Sequence, residues 1–175
     1  NSEWINLKIY RSFLNSGFEY SHELLTIPDC VMIVPFDKEL YTTIVRQYRF
    51  ALDSFSWEVV GGAIEPDDRN PLSAAKRELA EEAGFVADTW INLGYSDLGT
   101  ETISSKVWFF LAYKLTRFNN EYNYNEISNV KKISLDKALD MIISGKITHL
   151  PSVASILIAK SYIENHELFN DRGNF

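Results

Sequence analysis

Between positions 77 and 82 the chain reads RELAEE, which packs three glutamates and an arginine into six consecutive residues. Residues three and four apart share one face of a helix, so Glu78, Glu81 and Glu82 would project together, while Ala75 and Leu79 form an apolar stripe on another side. Two carboxylates about 6 Å apart repel by roughly 3 kcal/mol at an effective dielectric of 20, and by under about 1 kcal/mol in water. Such a turn is either a solvated acidic patch, partly neutralised by Lys76 and Arg77, or a set of ligands for a cation.

The preceding residues favour the cation. Residues 56–60 read as a short strand running into Gly61-Gly62, and paired glycines let backbone approach an ion or ligand without Cβ interference. The loop 63–69 then returns the chain to the acidic turn. Oxygen-only donors favour hard cations such as Mg²⁺ or Mn²⁺, which take a few carboxylates, a backbone carbonyl and waters. A phosphate can replace those waters.

The elements that must position these groups are well marked. Asn70 caps a helix, Pro71 takes its first position and Gly84 ends it, which predicts a helix over 71–83 about 20 Å long at roughly 1.5 Å per residue. Ser134 and Gly145 bracket a second helix over 135–144, and 151–166 makes a third with Val153, Ile156 and Leu157 on its apolar face. Strand-like stretches at 4–10, 30–36, 42–50, 56–60, 90–95, 105–115 and 130–134 are rich in β-branched and aromatic residues. The stretch 105–115 is the most apolar and fits a central strand buried on both faces. The expected fold class is α/β, a mixed sheet covered by helices, with residues 170–175 as a frayed end.

Residues 61–85 resemble the Nudix box, whose pattern runs Gly, five residues, Glu, seven residues, then Arg-Glu-apolar-x-Glu-Glu-x-Gly-apolar. Gly62 stands at the opening glycine, Asp68 at the first acid, and residues 77–85 match the second half without a gap. Two departures are present: Asp replaces the first Glu, and eight residues instead of seven separate it from Arg77. The resemblance implies that Glu78 and Glu82 coordinate Mg²⁺, that Glu81 is a further ligand or base, that Arg77 orients the acids, and that the Gly61 carbonyl adds a ligand. It also implies a Nudix-like α/β/α sandwich hydrolysing a nucleoside diphosphate linked to another group.

The likeness extends over roughly residues 30–163. VRQYRF followed by SWEVVGG is similar to the lead-in of the ADP-ribose and nucleotide-sugar pyrophosphatases, where Arg49 and Glu58 would contact or frame the substrate. SDLGTE replaces the branch's Ser-Pro-Gly turn, with Leu98 at the proline and Glu101 matching its acid. A catalytic acid is expected from the loop before the penultimate strand, where Glu126 and Glu121 are the two candidates and the stretch is either a lid or a plain solvent loop. Residues 1–28 resemble an arm exchanged between subunits, which implies a homodimer. ADP-ribose is the leading substrate; a GDP-mannose-type sugar or another dinucleotide, and a non-catalytic module that binds a nucleotide sugar, are the alternatives.

Whole-chain composition narrows the classes. At 175 residues and 46% hydrophobic, the chain has the size and apolar content of one domain spanning 1–175. A formal charge of −7 argues against nucleic acid or an anionic membrane as partner. The longest strongly apolar run, 107–113, is far below the roughly 20 residues of a spanning helix, and no signal peptide is expected at the start. The lone Cys30 excludes an internal disulfide, and together these features point to the cytoplasm. His22, His149 and His166 lie far apart and read as structural or exposed side chains.

Overall fold

Alternation along the central strands sorts the apolar residues into two cores, one on each side of a sheet. The computed structural model describes residues 4–118 and 127–166. Its strands are β1 (Asn6–Phe13), β2 (Glu19–Thr26), β3 (Cys30–Pro35), β4 (Tyr41–Arg49), β5 (Ser54–Ala63), β6 (Phe85–Asp97), β7 (Ile103–Ser104), β8 (Lys106–Arg117) and β9 (Ile127–Ser134). The helices are α1 (Pro71–Ala83), α2 (Leu135–Ile143) and α3 (Leu150–Asn165).

Six strands form a mixed sheet in the order β6-β8-β3-β5-β4-β9, in which only β3 and β8 run parallel. In β8, Val107, Phe109 and Leu111 face one way and join Ile156, Ala159 and Leu135 from α3 and α2. Phe110 and Ala112 face the other way and join Ala74, Ala75, Leu79 and Ala83 of α1. The expected two-sided central strand and its helical cover are therefore both present, in a three-layer α/β/α arrangement. Expected strands at 56–60, 90–95 and 130–134 all run longer, because each keeps a paired neighbour beyond its apolar stretch.

The N-terminal segment stands apart from this sheet. β1 and β2 form an antiparallel hairpin that adds β7 in parallel, a separate three-stranded sheet joined to the rest through the turn before β8. Leu7, Ile9 and Phe13 on β1 are all more than half exposed.

Candidate active site

The acidic helix is built as its caps dictate. Asn70 Oδ1 accepts the Ser73 N–H at 2.9 Å and Ser73 Oγ accepts the Asn70 N–H at 3.0 Å, a reciprocal box that satisfies two first-turn donors. Gly84 closes the other end at φ 68°. With Ala75 and Leu79 packed on the sheet, Glu78 and Glu82 lie against the interior strands β5 and β4 and are buried, at 8% and 7% exposed. Glu81 parts from them: its side chain is about half exposed. Positions 78 and 82 share a face more closely than 78 and 81, because four residues overshoot a full turn by only about 40° while three fall short by about 60°.

β5 supplies the floor. Gly61 donates its N–H to Glu82 Oε2 at 2.9 Å, and Gln47 Nε2 of β4 donates to Oε1 of the same carboxylate. A Cβ on Gly62 would stand 2.3 Å from Glu78 Oε1, so glycine there is what admits the carboxylate. Arg77 ties the loop to the helix. Its guanidinium bonds Glu78 at 2.8 Å, Asp68 and the Ala63 carbonyl at 2.9 and 3.0 Å and Glu81 at 3.2 Å, with Glu65 at 3.7 Å. Asp68, the short replacement for the first acid, still reaches this arginine and also accepts the Glu65 N–H. Bonding to Arg77 holds the Asp68 carboxyl below its ordinary pKa. Burial opposes the charge on Arg77, but Asp68 and Glu78 more than compensate and raise its pKa.

Charge is unbalanced at the two buried glutamates. Burial raises the pKa of Glu78 despite Arg77, and burial together with the charge of Glu78 pushes Glu82 up to about 8 despite its two N–H donors. Two buried carboxylates held at the edge of a glycine turn are a fitting donor set for a hard divalent cation. Among the described residues no three His, Cys, Asp or Glu side chains already stand as a metal cage. Glu78 and Glu82 with the Gly61 carbonyl would leave the remaining positions to water and phosphate, as Mg²⁺ commonly requires.

A second charged cluster lies further back along β5. Arg49 Nε and Nη2 donate to the two oxygens of Glu58 at 2.9 and 2.6 Å, and Glu58 is only 2% exposed. His149, the residue capping α3, brings Nδ1 within 3.1 Å of Glu58 Oε2 and 2.9 Å of Ser152 Oγ. Ser152 Oγ in turn accepts the Val59 N–H at 3.1 Å. β3 pairs with β5 only from Ile33↔Val60 to Cys30↔Ala63, and the start of α3 satisfies the Val59 amide just past that ladder. Burial alone would raise the Glu58 pKa; Arg49 and His149 reverse that and lower it. Sequence reasoning missed His149, because nothing local to HLPS marks a contact with a strand so distant in the chain.

The SDLGTE turn borders a cavity of about 430 Å³ lined by Asp97, Gly99, Thr100, Asp29 and Lys106. Glu101 is exposed, and its carbonyl is bonded by His22 of β2. The Asp29 carbonyl accepts the Ile64 N–H at 2.8 Å, one residue past the carbonyl held by Arg77. Glu121 and Glu126 lie outside the described residues, and so does the expected frayed end.

With this geometry in place, comparison with known proteins is specific. The NUDIX domain profile matches residues 26–153. The chain is 23% identical over 146 residues to CMP-5'-(N-acetyl-N-hydroxy-3-aminopropyl)phosphonate hydrolase of Streptomyces rubellomurinus, covering 83% of this chain and 70% of that one. It is 27% identical over 147 residues to the ADP-ribose pyrophosphatase of Bacillus subtilis, covering 82% and 78%. To the ADP-ribose pyrophosphatase of Mycobacterium tuberculosis it is 26% identical over 129 residues, 73% of this chain and 62% of that one. The crystal structure of an ADP compounds hydrolase superposes with a TM-score of 0.83 at 21% identity, covering 95% and 90% of the two chains. The fold, the glycine turn and the acidic helix thus agree with the profile that spans them, and the chain belongs to the NUDIX family.

Proposed function

We propose that the chain is an Mg²⁺-dependent hydrolase of nucleoside diphosphate-sugars, with Mn²⁺ as a substitute, and that it converts ADP-ribose and water to AMP and ribose 5-phosphate. The observation that carries this is the pair Glu78 and Glu82, buried against the Gly61-Gly62 turn beside a guanidinium already committed to neighbouring acids. The relatives named as ADP-ribose pyrophosphatases favour the adenine substrate.

A bound divalent cation would neutralise the diphosphate and acidify a water for attack on phosphorus. Glu78, Glu82 and the Gly61 carbonyl would hold it, and Arg77 keeps the carboxylate of Glu78 and the loop carbonyl of Ala63 in place. Glu81, the most exposed of the three helix acids and held by Arg77 through one oxygen, would take the water's proton, a role for which Glu121 and Glu126 are also candidates. Arg49, held in one orientation by Glu58, would meet the phosphates, and the cavity beside Glu101 would take the sugar end. The P–O bond of the bridge breaks, the water oxygen stays on one phosphorus, and the bridging oxygen leaves with the other.

The exposed apolar β1 surface further supports a homodimer, and the single cysteine suits a cytoplasmic site of action. Incubation with ADP-ribose, GDP-mannose and a CMP-linked phosphonate, with and without Mg²⁺, tests the activity by mass analysis of products. AMP and ribose 5-phosphate from the first at the highest kcat/KM is the expected result. Free phosphate instead of a nucleoside monophosphate would overturn the bridge chemistry. Binding without turnover of any of the three would favour the non-catalytic module.

A further inference from the structure

The Glu58 carboxylate is nearly inaccessible to solvent, yet three donor nitrogens converge on it, two from Arg49 and one from His149. The imidazole Nδ1 stands 3.1 Å from Oε2 and 2.9 Å from Ser152 Oγ, and the negative charge of Glu58 favours a proton on that nitrogen. With the proton on Nδ1, Nε2 is the nitrogen that gains or loses a proton. Among the described residues Nε2 makes no hydrogen bond, and 28% of the side chain reaches solvent. Protonation therefore adds a charge to the cluster without breaking any bond that organises it.

We propose that His149 is a positioning residue with a proton-dependent charge: neutral, it fixes Glu58 and through it Arg49; protonated, it makes the Arg49–Glu58–His149 cluster net positive and strengthens its hold on the substrate's phosphates. This rests on Arg49 meeting those phosphates. The charged groups that face the ring are Glu58 from β5 and Arg49 from β4, and the first turn of α3 holds no acid. The positive end of the α3 dipole also acts on its capping residue. Burial and Arg49 favour the neutral ring, and Glu58 only partly offsets them, so the free protein holds His149 below the ordinary imidazole pKa. An anion docking at Arg49 screens that repulsion, and by reciprocity protonation of the ring must tighten the anion.

The test uses ADP as probe. NMR titration of the His149 ring, assigned by its loss in His149→Asn, is run with and without saturating ADP. A rise of at least about half a pKa unit with ADP is expected, matched by an ADP Kd that, measured relative to His149→Asn at each pH, is about threefold tighter below the titration than above it. His149→Asn can keep an N–H toward Glu58 but does not titrate, so across the same pH range its ADP Kd should follow only the ionisation of the ADP terminal phosphate and lack the component due to the ring. His149→Leu, which cannot donate, should bind more weakly at every pH. An unmoved ring pKa, or the same pH dependence in His149→Asn as in the wild type, overturns the proposal. Arg49→Ala separates the two levels: if it leaves ADP affinity unchanged, the assignment of Arg49 to the phosphates fails and takes this proposal with it. If Arg49→Ala abolishes binding while the wild-type ring pKa stays fixed, only the role of His149 fails.

Discussion

At the scale of single residues, the acidic site is a compromise between burial and charge. A carboxylic acid whose folded pKa is raised is bound to its proton longer in the folded chain than in the unfolded one, so stability falls as pH climbs from the ordinary carboxylate range to the folded value. For Glu82 that window ends at about 8. Metal-free protein should therefore melt lower at about pH 9 than at about pH 6. Added Mg²⁺ should recover more of the Tm at the higher pH, and Glu82→Gln should flatten the difference while cutting Mg²⁺-dependent turnover by more than about 100-fold. Calorimetry and steady-state rates check both; a Glu82→Gln chain with intact turnover would contradict the metal assignment. Glu58 has the opposite sign. Its lowered pKa means its contribution is present above the ordinary carboxylate value and is lost as pH falls through the folded one, so Glu58→Gln should weaken the protein near neutrality and blunt its acid unfolding.

At the scale of elements, the site depends on where α1 starts and on how closely it meets β5. Asn70→Ala removes the acceptor for Ser73 N–H and should cost about 1 kcal/mol, or roughly 2–4 °C in Tm, without altering the ligands themselves. Gly62→Ala acts differently. Its Cβ would fall 2.3 Å from Glu78 Oε1, so the side chain must move, and Mg²⁺ affinity measured by calorimetric titration should drop while the fold persists by circular dichroism. Ser152→Ala leaves the Val59 N–H without its acceptor at the start of α3, an expected loss of about 1–3 kcal/mol in denaturant unfolding.

At the scale of the whole molecule, the main sheet is covered by helices on both faces, whereas the β1-β2-β7 sheet exposes large apolar side chains. A second copy of the chain is the partner we propose for this arm. Light scattering should give twice the 20.1 kDa chain mass, and Leu7→Lys with Ile9→Lys should return the monomer without loss of helix content. A monomeric wild type would remove the dimer from the proposal and leave the chemistry untouched.

Much of the molecule was legible in its residues because the signals were local. Asn70, Pro71 and Gly84 set the ends of α1, the continuous apolar run from Val107 to Tyr113 announced a strand between two cores, and the spacing of Glu78 and Glu82 placed two acids on one helical face. Helical periodicity also grouped Glu81 with them, yet only packing could show that the sheet buries two of the three and leaves that one in solvent. The place of His149 beside Arg49 and Glu58 was hidden for the same reason. The cluster is assembled where β5 leaves its ladder with β3 and α3 begins, a contact between segments far apart in the chain. Short-range propensity fixes which elements form and which faces they offer; desolvation and pairing across distant segments decide which of the offered charges work.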